Sequence, residues 1–364
     1  MRNTTFYLLS ALATVIGARP AMAQFTPLGT ADTYVFDMSA DGSVVVGLLA
    51  TYGPAFRWTA GTGVVDIGSI STKVAISRDG RTIVGKARAA DRLAYASIWQ
   101  SGKQWMALPP PEGWRDQDGT VTGAYDVSAD GSVIVGLAYL TRERVEAFRY
   151  HVSTGTVTLG TLTGGYTRAS AVSGDGRVVA GWDDLKGKGA GLGRWFGTVW
   201  WEGSERLLHP YNAIGQVEGA NDVGSVLVGR GHPLNFLHAF RYTSWDGHVE
   251  DLGAIKRTSG GDGVGNPIVG AEDLEDSSIA LAVSDDGNVV VGTSGWEPPT
   301  DAFIWTPQTK ILKLGDYLTS KGITGHENWR LMTAVAVSPN GKIIAGSGIN
   351  NANQRVEGYV VRIP

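Results

Sequence analysis

The chain has 364 residues, including 51 glycines, 12 tryptophans and no cysteine, and its formal charge at pH 7 is -4. The lack of cysteine excludes a disulfide scaffold, a cysteine-ligated zinc site and a cysteine nucleophile. A hydrophobic fraction of 43% excludes a disordered chain, and the acidic balance argues against a nucleic-acid partner.

Residues 1–23 have the layout of a secretory signal peptide. Arg2 gives a positive start, Phe6 to Ile16 is mostly apolar, and Ala21-Met22-Ala23 forms a cleavage site. The apolar stretch is too short to span a bilayer, and no later stretch is long enough for a transmembrane segment. The mature protein, residues 24–364, is therefore predicted to be secreted or periplasmic. A short buried helix is the alternative interpretation of residues 1–23.

A turn motif recurs seven times along the mature chain. Its first copy is Ser39-Ala40-Asp41-Gly42, and an apolar run follows it. Serine and aspartate bond to nearby amides and glycine accepts a positive φ, so each copy predicts a tight hairpin turn. The copy Ala220-Asn221-Asp222-Val223-Gly224 is interpreted as a turn that has lost one residue. The seven turn glycines are Gly42, Gly80, Gly131, Gly176, Gly224, Gly287 and Gly341.

A second motif follows most of the turns. It reads Ala55-Phe56-Arg57-Trp58 in its first copy, and a further strand ending in Leu-Gly or a similar pair completes it. Each unit therefore predicts four short antiparallel strands, here named A to D. The recurring Trp58, Trp99, Trp200 and Trp305 are predicted to be core residues. The recurring Arg57, Arg149 and Arg241 are predicted to pair with turn carboxylates.

The spacing of the units predicts the architecture. Successive turn glycines lie 38 to 63 residues apart, as in a β-propeller. The seventh unit stops at Pro364 without its last strand, and residues 25–29 look like that missing strand. We therefore predict an all-β fold, a single seven-bladed β-propeller of four-stranded antiparallel blades. The N-terminal strand completes the last blade, which removes the open sheet edges.

The combined repeat resembles the HAF-type bacterial extracellular repeat family. The shared pattern is Ser-x-Asp-Gly, Val-Val-Gly, Ala-Phe-Arg-Trp and Leu-Gly, and the naming tripeptide is present as His238-Ala239-Phe240. The similarity covers nearly the whole mature chain. It implies a secreted repeat protein, and it implies no catalytic residue.

The connections between strands are predicted to be unequal on the two faces of the disc. The A–B and C–D turns, which share one face, are short throughout. The long connections are B–C and D–A loops, which share the opposite face, and binding residues commonly lie on such loops. These long segments are predicted at 86–95, 109–123, 182–198, 254–281, 293–301 and 316–334.

The long loops contain tryptophan beside polar side chains, a combination that suits carbohydrate. The sequence thus predicts a monomeric binding module for a polysaccharide, a cell-surface glycan or a surface protein. Packing of these tryptophans against the blades is the alternative explanation. The predicted ligand-binding residues are Trp114, Asp116, Trp182, Asp183, Trp195, Asn235, Trp296 and Trp329.

A carbohydrate-active enzyme, either a polysaccharide lyase or a glycoside hydrolase, is the alternative function. A lyase needs a base and a cation beside the substrate carboxylate. His232 or His238 would be the base, with Arg142, Arg144 or Arg330 as the cation. A hydrolase would need two carboxylates, which the loops could also supply.

No metal site or cofactor is predicted. The acidic run 272–276 is interpreted as a solvated loop, with Ca²⁺ as the alternative, because carboxylate oxygens suit calcium but the loop spacing does not. No nucleophile elbow, zinc-protease helix or phosphate-binding loop occurs in the sequence.

Overall fold

The computed structural model describes residues 23–68, 73–100, 102, 104–141, 144–185, 195–201, 204–208, 214–231, 237–244, 246–255, 277–295 and 300–364. They form seven four-stranded antiparallel sheets arranged as a ring. The predicted seven-bladed β-propeller is confirmed. The predicted signal peptide lies outside the described residues except for Ala23, and the first strand begins at Gln24.

The first four blades contain sixteen strands in chain order. Blade 1 contains β2 Thr33–Met38, β3 Val45–Leu49, β4 Ala55–Thr59 and β5 Gly63–Gly68. Blade 2 contains β6 Ala75–Ile76, β7 Thr82–Arg88, β8 Ala94–Gln100 and β9 Met106–Ala107. Blade 3 contains β10 Thr122–Val127, β11 Val133–Thr141, β12 Arg144–His151 and β13 Gly155–Gly160. Blade 4 contains β14 Gly164–Val172, β15 Val178–Leu185, β16 Trp195–Trp201 and β17 Ser204–Leu207.

The last three blades contain the remaining strands and one helix. Blade 5 contains β18 Gln216–Ala220, β19 Val226–Gly231, β20 His238–Thr243 and β21 His248–Gly253. Blade 6 contains β22 Ser278–Val283, β23 Val290–Ser294, β24 Asp301–Thr306 and β25 Lys310–Lys313. Blade 7 contains β26 Trp329–Val337, β27 Ile343–Asn350, β28 Arg355–Arg362 and β1 Gln24–Ala31. The helix α1, Leu314–Ser320, follows β25.

Local hydrogen bonds form each A–B turn. In blade 3 the Ser128 hydroxyl donates to Asp130 and accepts from the Val133 amide, over 2.7 and 3.0 Å. Asp130 also accepts from the Ser132 amide, and Gly131 has a φ of 77°. The hydroxyl of the buried Ser128 therefore finds all its hydrogen-bond partners within the turn. The sequence motif is thus sufficient to specify the turn structure.

The turn of blade 5 corrects the sequence interpretation. Asn221 takes the place of serine, and its side-chain oxygen accepts from the Val226 amide over 3.0 Å. Val223 takes the place of aspartate, and Gly224 again has a positive φ. The turn therefore has the same length as the others. The prediction that it lost a residue is wrong.

Each turn glycine also packs against the preceding blade. A Cβ at Gly224 would lie 2.5 Å from the Val178 side chain, and one at Gly42 would lie 2.8 Å from Ile343. The second contact joins blade 1 to blade 7. Glycine is thus required here by both its positive φ and the lack of space.

The two ends of the chain close the ring as predicted. β1 pairs with β28, with Gln24 opposite Arg362. Phe25 packs against Tyr359 and Trp329, with ring centroids 5.4 and 5.2 Å apart. The last blade thus takes three strands from the C-terminus and one from the N-terminus.

Apolar layers between neighbouring blades form the core. The phenylalanines of the second motif are fully buried, and three of the four repeat tryptophans are buried. The prediction that these are core residues is confirmed for Trp58, Trp200 and Trp305, and Trp99 packs at the edge of the layer between blades 1 and 2.

Several predicted loop bounds are too wide. β15 continues to Leu185 and β16 begins at Trp195, so both ends of the predicted loop 182–198 are strand. The B–C connection of blade 2 is confined to residues 89–93. The segment 316–334 contains most of α1 and the start of β26. The sequence interpretation missed the helix.

Candidate functional site

A narrow channel runs along the axis of the ring. Residues of all seven innermost strands line a cavity of about 150 Å³ there. One end of the channel opens on the face of the A–B and C–D turns, here called the turn face. The other end opens on the face of the B–C and D–A connections, here called the insertion face.

Charged side chains cross the mouth on the turn face. The variable residue of the Ser-x-Asp-Gly motif points to the axis, and it is Arg78 in blade 2 and Asp285 in blade 6. Their side chains form a two-bond ion pair over 2.6 and 3.0 Å. Arg78 also lies 3.0 Å from Asp222 of blade 5. These contacts span the ring and narrow this mouth.

Two half-buried carboxyl groups lie next along the channel. Asp37 accepts from the amides of Met38 and Ile76, and Asp126 accepts from those of Val127 and Val172. Each carboxyl thereby links its blade to the next one. Desolvation by burial, and then the Asp126 charge, raise the pKa of Asp37 from 3.8 to about 7. Burial also raises the pKa of Asp126.

Cations and aromatic rings lie toward the insertion face. Lys73, Lys86, Tyr125 and Tyr139 line a small cavity of about 40 Å³, and two of them, Lys73 and Tyr125, also line the channel. Burial and then the charge of Arg88 lower the pKa of Lys86. This mouth of the channel therefore combines positive charge with phenol rings.

An arginine–aromatic cluster extends this surface across blades 3 to 5. Its members are Tyr125, Arg168, Trp182, Trp195 and Arg230. The Arg168 guanidinium lies 5.1 Å from the Tyr125 ring centre and 5.3 Å from that of Trp182. The Trp182 and Trp195 rings are 6.0 Å apart, and Arg230 lies 5.8 Å from the Trp195 ring.

Polar contacts position the arginines of the cluster. Arg168 donates to Glu218 and Ser170, each over 2.9 Å, and Arg230 donates to Gln216 over 2.9 Å. Burial lowers the pKa of Arg230. The guanidinium planes are thus positioned before any ligand arrives.

Two of the predicted ligand-binding residues, Trp182 and Trp195, belong to this cluster. Both lie on strands and are half-buried, and the Trp182 indole N–H is buried without a hydrogen-bond partner among the described residues. The sequence interpretation missed Lys73, Tyr125, Arg168 and Arg230. Arg168 and Tyr125 lie on innermost strands, where a long polar side chain interrupts a run of small residues.

Asp183 and Trp329 have internal roles. Asp183 is fully buried and accepts from the Leu162 and Thr163 amides over 2.8 and 3.1 Å. Burial, and then the Asp183 charge, raise the pKa of Glu205 to about 8. Trp329 packs edge-on against Phe25 in the closing blade. Asp183 is fully buried and Trp329 is half-buried, and both lie on strands, which corrects their assignment as exposed loop residues.

The remaining predicted ligand residues do not join the cluster. Trp114 is 39% exposed and packs edge-on against Tyr95, and Asp116 is exposed beside it. Both lie on the D–A connection between blades 2 and 3. Asn235 and Trp296 lie outside the described residues.

The predicted catalytic residues are separated. The Nδ1 atom of His238 lies within hydrogen-bond distance, 3.0 Å, of the Asp251 carboxylate in blade 5. Arg330, in blade 7, lies 4.0 Å from Asp301. Arg144 pairs with Glu146 in blade 3. His232 and Arg142 lie outside the described residues, as does the acidic run 272–276.

Among the described residues no group of three or more His, Asp or Glu side chains could hold a metal ion. In the same part of the chain no helix is long and apolar enough to cross a membrane.

Comparison with known proteins shows the fold. No family profile and no curated protein matches the chain. The WD40 repeats of RRP9 cover 95% of this chain and 99% of their own, at 13% identity and a TM-score of 0.55. The β-propeller domain of the Trilobed protease from Pyrococcus furiosus covers 90% of this chain and 95% of its own, at 11% identity and a TM-score of 0.54. An oligogalacturonate lyase in complex with manganese covers 94% of this chain and 93% of its own, at 13% identity and a TM-score of 0.53. The chain is thus similar to β-propellers of unrelated functions, and this similarity shows the architecture alone.

Proposed function

We propose that this protein is a secreted or periplasmic binding module for a polysaccharide or cell-surface glycan that carries carboxylates. Its site is the insertion-face mouth of the channel together with the arginine–aromatic cluster. The observation that carries the proposal is the placement of Lys73, Arg168 and Arg230 beside Tyr125, Trp182 and Trp195 at one end of the ring. The resemblance to the HAF-type repeats supports secretion.

The chemistry of the cluster fits acidic sugars. Indole faces stack on sugar rings, and guanidinium groups bind carboxylates through paired hydrogen bonds. Glu218 forms an ion pair with Arg168, and Lys73, Lys86 and Arg230 add three more cations at the same end of the ring. The ring also gives a rigid support, so little conformational entropy is lost on binding.

Binding of the mature protein to polygalacturonate and to dextran tests this proposal. We expect saturable binding to the acidic polymer, binding at least about tenfold weaker to the neutral one, and weakening by added salt. Arg168→Gln should weaken polygalacturonate binding about tenfold, because it removes a charged hydrogen bond. Trp201→Ala, on the turn face, is the matched control and should bind normally.

The same samples distinguish binding from catalysis. New ultraviolet absorbance from an unsaturated uronate, or new reducing ends, would replace the binding module with the lyase or hydrolase alternative. Equal affinity for both polymers, or unchanged binding by Arg168→Gln, would overturn the proposed site.

A further inference from the structure

An open cleft lies between blades 4 and 5 on the turn face, away from the proposed glycan site. Its volume of about 610 Å³ is within the range of small-molecule sites. The lining residues shared between the two blades are mainly apolar or aromatic. They include Val178, Val199, Trp201, Leu208, Leu227 and Tyr242.

At the position of the repeat arginine, blade 4 has a smaller aliphatic residue, as blades 2, 6 and 7 do with Ile98, Ile304 and Val360. In blade 5 this residue is Arg241, which faces blade 6. Its Nε donates to the Gly287 carbonyl over 2.8 Å, and its guanidinium lies 5.9 Å from the Trp305 ring centre. The arginine thus fills the gap between blades 5 and 6. Its partner is a backbone carbonyl, which corrects the prediction that it pairs with a turn carboxylate.

Strand register identifies the equivalent position in blade 4 as Val199. Val199 lies opposite Ala180 on the neighbouring strand, as Arg241 lies opposite Val228 one blade later. In the gap that Val199 faces, Gly224 and Tyr242 take the places of Gly287 and Trp305. The Val199 side chain is too short to cover the aromatic ring of Tyr242, so the space between the two blades remains open.

The charge of the cleft is also changed. Arg206 pairs with Val199 across β16 and β17, whereas Glu250 holds this position in blade 5 and forms an ion pair with Lys310. No carboxylate among the described residues lies within ion-pair distance of Arg206. Glu205, the neighbouring residue on β17, also lines the cleft. It lies opposite Trp200 and its carboxyl interacts with Asp183, so its side chain faces blade 3.

We propose that this cleft binds a small organic carboxylate with an apolar, ring-containing body. Arg206 pairs with the carboxylate, and the ring lies between Trp201 and Tyr242 above the floor formed by Leu208 and Leu227. Trp201 is 51% exposed and Tyr242 is buried, so the two rings form an outer and an inner wall. A carboxylate and a guanidinium form two parallel hydrogen bonds, which gives charge selectivity.

Two probes with the same naphthalene body, one anionic and one neutral, test the charge selectivity. 2-Naphthoate and the neutral 2-naphthalenemethanol are titrated into the mature protein, with calorimetry and tryptophan fluorescence as readouts. We expect saturable binding of 2-naphthoate at one site, at least about tenfold tighter than the alcohol. Arg206→Gln should reduce the affinity for 2-naphthoate to that for the alcohol.

A second variant fills the cleft with the residues that blade 5 has at the equivalent positions. Val199→Arg combined with Arg206→Glu copies the Arg241 and Glu250 arrangement of blade 5, so it should keep or raise the melting temperature and lose 2-naphthoate binding. Trp201→Ala should weaken binding about tenfold without loss of the fold.

The glycan-site variant Arg168→Gln is the control and should bind 2-naphthoate normally. This proposal therefore fails independently of the proposed function. Equal affinity for both probes, no binding of either, or unchanged 2-naphthoate binding by the refilled variant would overturn it.

Discussion

The two faces of the disc follow different rules. On the turn face the turn serine, or Asn221 in blade 5, accepts the same amide hydrogen bond in every blade. Each turn glycine also packs against the preceding blade. On the insertion face the connections differ in length and sequence, and the arginine–aromatic cluster is confined to blades 3 to 5. The repeated contacts of the turn face thus hold the ring together, whereas candidate sites occur where the sequence departs from the repeat.

One added methyl group on the turn face tests whether the turns hold neighbouring blades together. Gly224→Ala places a Cβ 2.5 Å from Val178 at a φ of 67°, so it combines a clash with backbone strain. We expect a loss of about 2–4 kcal/mol in the free energy of unfolding, measured with urea. Gly63→Ala is the control, since its φ is 66° but nothing lies within 4 Å of the added atom. It should cost about 1 kcal/mol. Equal losses would show that blade packing does not constrain the turn.

A second test concerns the channel that joins the two faces. Burial raises the pKa of Asp37 to about 7, so the folded protein holds a proton that the unfolded chain releases above about pH 4. The stabilisation from this protonated group is complete below pH 4 and is lost as the pH rises toward 7. Asp37→Asn should therefore show a smaller fall in unfolding free energy between pH 4 and 7. Asp118→Asn, at an exposed carboxylate, should retain the wild-type slope, and identical slopes in all three proteins would contradict the assignment.

The smallest effect is expected on the insertion face. Trp114 is 39% exposed and contacts Tyr95 edge-on, so Trp114→Ala should cost only about 0.5–1 kcal/mol of unfolding free energy. Trp305→Ala removes a buried tryptophan of the repeat and should cost about 3–5 kcal/mol. A comparable loss from both would mean that the insertion face also holds the ring.

The fold could be predicted from the sequence because its determinants are local. Ser128, Asp130 and Gly131 complete their hydrogen bonds within one turn, so the motif specifies the turn wherever it occurs. The closing strand was predictable because residues 25–29 supply what the last unit lacks. The helix α1 had a usable signal, since Leu314, Tyr317 and Leu318 follow helical spacing, but the Leu-Gly ending of the repeat masked it.

The candidate site was less predictable because its contacts join distant blades. Arg78 and Asp285 are far apart in sequence, and only closure of the ring brings their turns together. The strand ends at Leu185 and Trp195 were missed because Trp182-Asp183-Asp184 looks like a polar loop. Asp37 and Asp126 did have a sequence signal. They stand two residues before the turn serine, at a position where the other copies have alanine or glycine.

The shared closing blade sets the order of events during folding. β1 is the first strand of the ring in the chain, yet its partner β28 is the last to be made. Such long-range pairing is slow, because loop-closure entropy is lost before the contact forms. Blades 1 to 6 can assemble in sequence. The aromatic ring of Phe25 is covered only after Tyr359 of β28 has packed against it. The lifetime of the folded ring therefore depends on how rarely β1 separates from β28.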